Sequence, residues 1–200
     1  MLKKIAILIL ALILAACGGE PFQTVTSVAS NTPFQPTRLP PAATATDTQP
    51  GAAPCDFAYL KQEIAQLRAD GYVVIATNHW NQTYDYVPNP QQVIDFRLMV
   101  DWGASLVLGA QAHYAQTMEF YNDIFIHYGQ GNLFFDQMGD QSWMPKGIRR
   151  EFLDRYVIYN GKLISIELIT TMLEDWSRPR VMTLEERTQF LIELFSASGW

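Results

Sequence analysis

The stretch that decides the fold reads YVVIATNHW over residues 72–80, NPQQVIDFRLMVDWG over 89–103 and SLVLGAQAH over 105–113. Tyr72 to Ala76 and Ser105 to Leu108 are short, β-branched and apolar on both faces, as parallel strands covered by helices must be. Between them Asn89 suits an N-cap, and Pro90 suits the first helical position, where its missing N–H costs nothing. Val93, Phe96 and Val100 recur at helical spacing across Gln91 to Trp102, and Gly103 can take the left-handed conformation that closes a helix. A strand, a helix and a second strand of this size make a right-handed crossover with parallel strands. Both strands then end on one edge of the sheet. Asn78-His79-Trp80 and Gly109-x-Gln111-x-His113 should therefore meet where open α/β sheets bind their ligands. The chain has three histidines in all, and His79 and His113 are two of them.

Outward from this unit the pattern stays legible. Asp56 can cap a helix with Phe57, Leu60, Ile64 and Leu67 on one face, ended by Gly71. Downstream, Met118 to Tyr121 and Ile124 to Tyr128 read as strands joined by a tight Asn122-Asp123 turn. Gly129 to Asn132 leads into a short strand, Leu133 to Asp136, and residues 137–147 read as a loop. Asn160-Gly161 joins two further strands, Phe152 to Tyr159 and Leu163 to Thr170. Thr183 and Glu186 form a capping box for a last helix with Leu184, Leu191, Leu194 and Phe195 on its apolar side. The predicted class is α/β (α+β): a parallel β-α-β unit, then antiparallel hairpins, then a C-terminal helix.

The first seventeen residues read as a targeting segment. Lys3 and Lys4 precede an apolar core, Ile5 to Leu14, too short for a comfortable membrane span. Leu14-Ala15-Ala16-Cys17 resembles the bacterial lipobox, in which the leader is cut before the cysteine and Cys17 carries lipid. Residues 18–55 are rich in Thr, Pro, Ala, Ser and Gln with almost no charge. They cannot bury enough apolar surface to order themselves, and read as a disordered tether spanning about 30 to 35 Å. Residues 56–200 remain for one folded domain, held at the cell membrane by lipid and outside the cytoplasm. Cys55 is left as a lone thiol, awaiting a partner cysteine elsewhere or none. With a net charge of −6 and no basic stripe, nucleic acid is a poor partner.

Taken together, His79-Trp80, Gly109-x-Gln111-x-His113, Glu119 with Tyr121, and Tyr128-x-x-Gly131-Asn132-x-x-x-Asp136 resemble the CapA-type capsule, or poly-γ-glutamate, synthesis proteins. The resemblance runs from Asp56 to Asp136. It implies a partial calcineurin-like metallophosphatase sheet, matching the C-terminal half of that family's fold. It also implies that His79, Gln111 and His113 stand at metal-ligand positions, with Asn78, Trp80, Asn132 and Asp136 lining the site. Gln111 replaces a histidine of the family motif. An amide oxygen is a weaker ligand than imidazole for Mn, Fe or Zn, so any divalent metal should be weak or absent. The carboxylate and Asn ligands that the family draws from upstream have no counterpart here, because the tether occupies that place. Gly139-Asp140 comes too late in the chain to replace them.

Blander readings stand beside these. His79 and His113 could be strand-end histidines bonded to backbone, and His127 reads as a packed or edge histidine. Asn132 could form a turn. Trp80, Tyr84 and Tyr86 could stack on a sugar or polymer, or simply pack. The preferred expectation is a lipid-anchored protein of surface-polymer biogenesis or attachment, without independent catalysis. One alternative is a metal-dependent hydrolase or transferase on phosphoester or γ-glutamyl substrates, completed by a second chain or a second copy. Another is a non-functional truncated remnant. Sheet edges left unpaired should favour self-association or a partner that completes the sheet.

Overall fold

The structure is a computed structural model that describes residues 56–135, 146–174 and 178–198. The leader and tether, Cys17, Cys55, Asp136 and Gly139-Asp140 lie outside those residues.

Helix α1 (Phe57–Ala69) starts at Asp56, whose Oδ1 accepts from the backbone N–H groups of Ala58 at 2.8 Å and Tyr59 at 3.2 Å. Strand β1 covers Ile75–His79, further along the chain than the expected Tyr72 to Ala76. Pairing, not apolarity, sets its limits: Ile75 faces Leu106 and His79 faces Ala110 in parallel register with β2 (Leu106–Ala110). Asn78 and His79 are consequently strand residues and not the loop that follows one. Helix α2 (Pro90–Asp101) makes the crossover, capped by Asn89 Oδ1, which accepts from the Gln91 N–H at 2.9 Å.

Strands β3 (Met118–Tyr121) and β4 (Ile124–His127) form the expected hairpin. Its turn residues Asn122 and Asp123 take φ of 49° and 63°, the left-handed pair that a two-residue hairpin of this hand requires. β4 also runs parallel to β2, with Val107 opposite Ile126, so the sheet order is β1-β2-β4-β3. Hairpin signals fix how two strands meet each other and say nothing of the third strand they join. The strand expected over Leu133 to Asp136 is absent from its described part, 133–135, where the chain bends. Gly131, at φ +84°, presses this loop onto the backbone of residues 150 and 151, where a Cβ would lie 2.6 Å from the Arg150 carbonyl oxygen.

A 3₁₀ turn (Lys146–Arg149) leads into a second sheet, antiparallel and ordered β5-β6-β7. β5 (Arg150–Tyr159) and β6 (Lys162–Glu174) turn at Asn160 and Gly161, with φ of 50° and 77°. β7 (Arg178–Val181) escapes the sequence reading because it is short, charged and contains Pro179; on an edge strand the missing N–H of proline is tolerated. Helix α3 (Leu184–Ala197) begins with the expected capping box: the Glu186 N–H donates to Thr183 Oγ1 at 3.2 Å, and the Thr183 N–H donates to Glu186 at 2.8 Å.

The first sheet is covered on both faces, which explains its uniformly apolar strands. Leu60, Ile64, Phe96 and Met99 from α1 and α2 pack on Val74, Ala76, Val107 and Ile126. On the other face Leu106 and Phe125 meet Phe152 from β5 and Phe190 and Leu194 from α3. Strand alternation divides the work, with Val107 facing the helices and Leu106 facing the second layer. Each such fully buried side chain contributes about 1.5 to 3 kcal/mol relative to exposure. The molecule is an α/β fold with a parallel unit, an antiparallel sheet and a C-terminal helix. Among the described residues no helix is long and apolar enough to cross a membrane.

Candidate functional site

Parallel pairing carries the two motifs to one rim. Beyond the strand ends the chains stay joined: the Trp80 N–H donates to Ala110 O at 3.3 Å and the His113 N–H to Thr83 O at 3.0 Å. Gln111, at φ 79°, turns the chain sharply after β2, a left-handed conformation uncommon outside glycine. The turn leaves His113 near the end of β1. Burial depresses the basicity of His79, and the neighbouring His113 lowers it further. The two imidazoles are thus close enough for charge on one to oppose charge on the other.

Asn132 fixes His113. Its amide nitrogen donates to the carbonyls of His113 at 3.3 Å and Ile148 at 3.1 Å, which orients its oxygen toward His113 Nδ1 at 2.9 Å. Nδ1 is therefore the ring nitrogen that donates, to the Asn132 amide oxygen, and Nε2 lies on the other side of the ring. Tyr84 stacks on the same imidazole at 5.3 Å, and Phe135 lies 4.5 Å from it at a tilt.

Asn78 and Trp80 engage the opposite side of the strand. Asn78 Nδ2 reaches Met99 Sδ at 3.0 Å, and Trp80 Nε1 donates to Asp95 at 2.8 Å, so both contact α2. Tyr86 is also scaffold, packed near Phe190 with its hydroxyl accepting from Arg150 at 2.8 Å. Of the loop aromatics Tyr84 stays open, at 43% exposure.

Several motif residues hold the rim rather than line it. Glu119 accepts a two-pronged hydrogen bond from Arg97, at 2.8 and 2.6 Å, and another from the Tyr128 hydroxyl. The Arg97 bond is the main reason its carboxyl sits below the ordinary range. Gly109 meets the Tyr128 backbone so closely that a Cβ would fall 1.8 Å from the carbonyl oxygen. Sequence reasoning missed Gln92, buried in α2, which donates to Tyr128 O at 2.8 Å and Gln116 at 3.1 Å. A glutamine on the helix face that carries Phe96 and Met99 was the signal available.

His127 is packed, as its sequence context suggests. It is fully buried, with Nδ1 2.5 Å from Asp154, which also accepts from Gln130 at 3.1 Å and from the Tyr156 hydroxyl. Burial pushes the Asp154 carboxyl up, but bonds from His127, Tyr156 and Gln130 outweigh it and hold Asp154 below its usual range. No local pattern links residues on different sheets, so this partner was not legible.

Among the described residues the rim offers few metal donors. A catalytic metal takes three protein ligands and an open position. The two imidazoles and the Gln111 amide give one such set at most. Among the described residues no group of three or more His, Cys, Asp or Glu gathers to hold an ion. The donor set does not fit a two-metal centre.

Residues 9–137 match a protein family described as bacterial capsule synthesis protein PGA_cap. Over 88 residues the chain is 35% identical to the PGA biosynthesis protein CapA of Bacillus subtilis (strain 168), an overlap of 44% of this chain and 23% of that protein. Over 99 residues it is 32% identical to the capsule biosynthesis protein CapA of Bacillus anthracis, an overlap of 48% and 24%. The matched part spans about a quarter of the length of these relatives.

Proposed function

The chain belongs to the bacterial capsule synthesis protein family, and on that footing we propose that it serves surface-polymer biogenesis or attachment as a lipid-anchored protein without catalysis of its own. The polymer would be capsule or poly-γ-glutamate, in keeping with the names of the relatives. The observation that carries the non-catalytic reading is the donor set: two imidazoles and an amide, where two-metal hydrolysis needs three or more ligands for each ion. The anchored reading rests on Lys3, Lys4, the apolar run to Leu14 and Cys17, since a diacylglyceryl group plus an amide-linked chain gives stable attachment. That would place the domain at the cell membrane, facing away from the cytoplasm.

Complementation of a polymer-deficient strain lacking this chain tests both parts. His79→Ala and His113→Ala should restore surface polymer as well as wild type, and Cys17→Ser should leave the membrane fraction. Loss of polymer with His79→Ala at an unchanged protein level would sink the non-catalytic reading.

One observation favours a second reading. Asn132 holds His113 through Nδ1 and leaves Nε2 free of that bond, as outer partners orient metal-binding imidazoles. A second chain or a second copy could then supply carboxylates and complete a hydrolase or transferase for phosphoester or γ-glutamyl substrates. About one equivalent of Mn, Fe or Zn in the purified assembly, lost on His79→Ala, would establish it.

A further inference from the structure

Strand β5 is an edge of the second sheet, ordered β5-β6-β7. The Phe152 N–H donates away from β6, to Gln130 O at 2.8 Å. Backbone groups alternate in direction along an antiparallel strand, so those of Asp154, Tyr156 and Ile158 also point outward. The register passes from Val157–Ser165 to Ile158–Leu163, which puts the extra residue, Ile164, on β6 and leaves β5 itself regular. Among the described residues no strand pairs with this outward edge.

The other edge of the sheet is protected. β7 is four residues long and carries Arg178, Pro179 and Arg180, charges and a proline that discourage strand addition. β5 runs for ten residues without a proline. Its outer face presents Leu153, Val157 and Tyr159, at 39%, 46% and 68% exposure. On the opposite face Phe120, also exposed, packs on Phe125, whose ring lies 6.3 Å from that of Tyr156. Apolar surface therefore flanks the edge on both sides.

We propose that this edge is a self-association surface, on which β5 of a second copy pairs antiparallel about a two-fold axis at Tyr156. A two-fold interface must be self-complementary, and β5 is so in this register. Asp154 faces Ile158 of the second copy and Tyr156 faces its own counterpart, so all three outward residues gain backbone partners. On the outer face Leu153 lies opposite the second copy's Tyr159, an apolar–aromatic pair, and Arg155 lies opposite its Val157. A slide of two residues one way sets Arg155 against Arg155, like charges directly opposite. A slide the other way leaves Asp154 facing the turn residue Asn160. A cavity of about 240 Å³, lined by Leu133 and Leu153 among others, opens at this edge, where the ring of the second copy's Tyr159 falls. The inference does not depend on the function proposed above.

Sedimentation equilibrium of the full chain in detergent tests the surface, and a concentration-dependent dimer is expected. Val157→Lys, an exposed change, sets a second cation opposite Arg155 at two symmetric places and should weaken the dimer by about tenfold. Val157→Glu sets a carboxylate there and should tighten it severalfold. Val181→Lys, on β7, should leave the dimer unchanged, and circular dichroism should show each variant folded. Arg155→Cys and Val157→Cys chains, each also carrying Cys17→Ser and Cys55→Ser, should form an intermolecular disulfide when mixed. Residues opposite each other in a non-hydrogen-bonded pair have Cα atoms about 4.5 Å apart, within the reach of that bond. A monomer throughout, equal dimer strength in Val157→Lys and Val157→Glu, or no disulfide in the mixture would overturn the assignment.

Discussion

His113 Nδ1 lies 2.9 Å from Asn132 Oδ1, and the amide nitrogen of Asn132 is bonded to two backbone carbonyls. One side chain thus fixes an imidazole tautomer and ties together three segments: the rim loop, the loop after β4 and the 3₁₀ turn. Asn132→Ala strands a ring N–H and two carbonyls at once. The expected loss is about 1 to 3 kcal/mol, read by chemical denaturation. Ring ¹⁵N shifts of His113 should report the Nδ1-protonated form in wild type and a mixture in the variant. Unchanged shifts would remove Asn132 from its positioning role.

Gly109 is fixed by contact distance. A methyl group there would lie 1.8 Å from Tyr128 O, a backbone atom that β4 holds in place, and 2.9 Å from the Phe96 ring. Relief requires β2 and β4 to part. Gly109→Ala should therefore cost more than about 4 kcal/mol, in the range reserved for severe core damage, and yield an unfolded or insoluble chain. A cooperative melt within a few degrees of wild type would contradict the packing described.

The His127–Asp154 pair joins the two sheets through a fully buried contact. Removing one partner leaves the other without its bond, so Asp154→Ala should destabilise by about 3 to 5 kcal/mol. The double change His127→Phe with Asp154→Leu should recover much of that loss, because apolar replacement of a buried pair is often neutral. Equal destabilisation by the single and double variants would show that the pair is not what joins the layers.

Local chemistry made most of the elements legible. Asp56, Asn89 and Thr183 cap their helices, and Asn122-Asp123 and Asn160-Gly161 turn their hairpins, each through groups within a few residues. The rim was legible too, because parallel pairing follows from the strand–helix–strand order. What stayed hidden depends on distant partners. β1 is displaced because pairing with β2 sets its ends. Asn78 and Trp80 contact α2 because strand alternation puts them on the face opposite His79. Nothing local marks Glu151 as buried; the Gly131 loop packed against it does so from a distance in the chain.

Glu151 and Asp154, three positions apart on β5, move stability in opposite directions with pH. Burial raises the Glu151 carboxyl from 4.5 to about 7. Between those values the folded chain holds a proton that the unfolded chain has released, so stability falls as pH rises through that window and levels off above it. Asp154 is held below its ordinary 3.8, so its contribution is present above that value and lost as pH drops further. These two groups together therefore favour mild acid, against the rise toward pH 6.5 that the depressed His79 contributes. Glu151→Gln, which cannot titrate, should erase the decline toward neutrality and exceed wild type above pH 7 by roughly 3 kcal/mol. Urea midpoints measured from pH 3 to 8 decide it: a wild-type curve that climbs steadily toward pH 8 would mean that Glu151 is charged and satisfied in the folded chain.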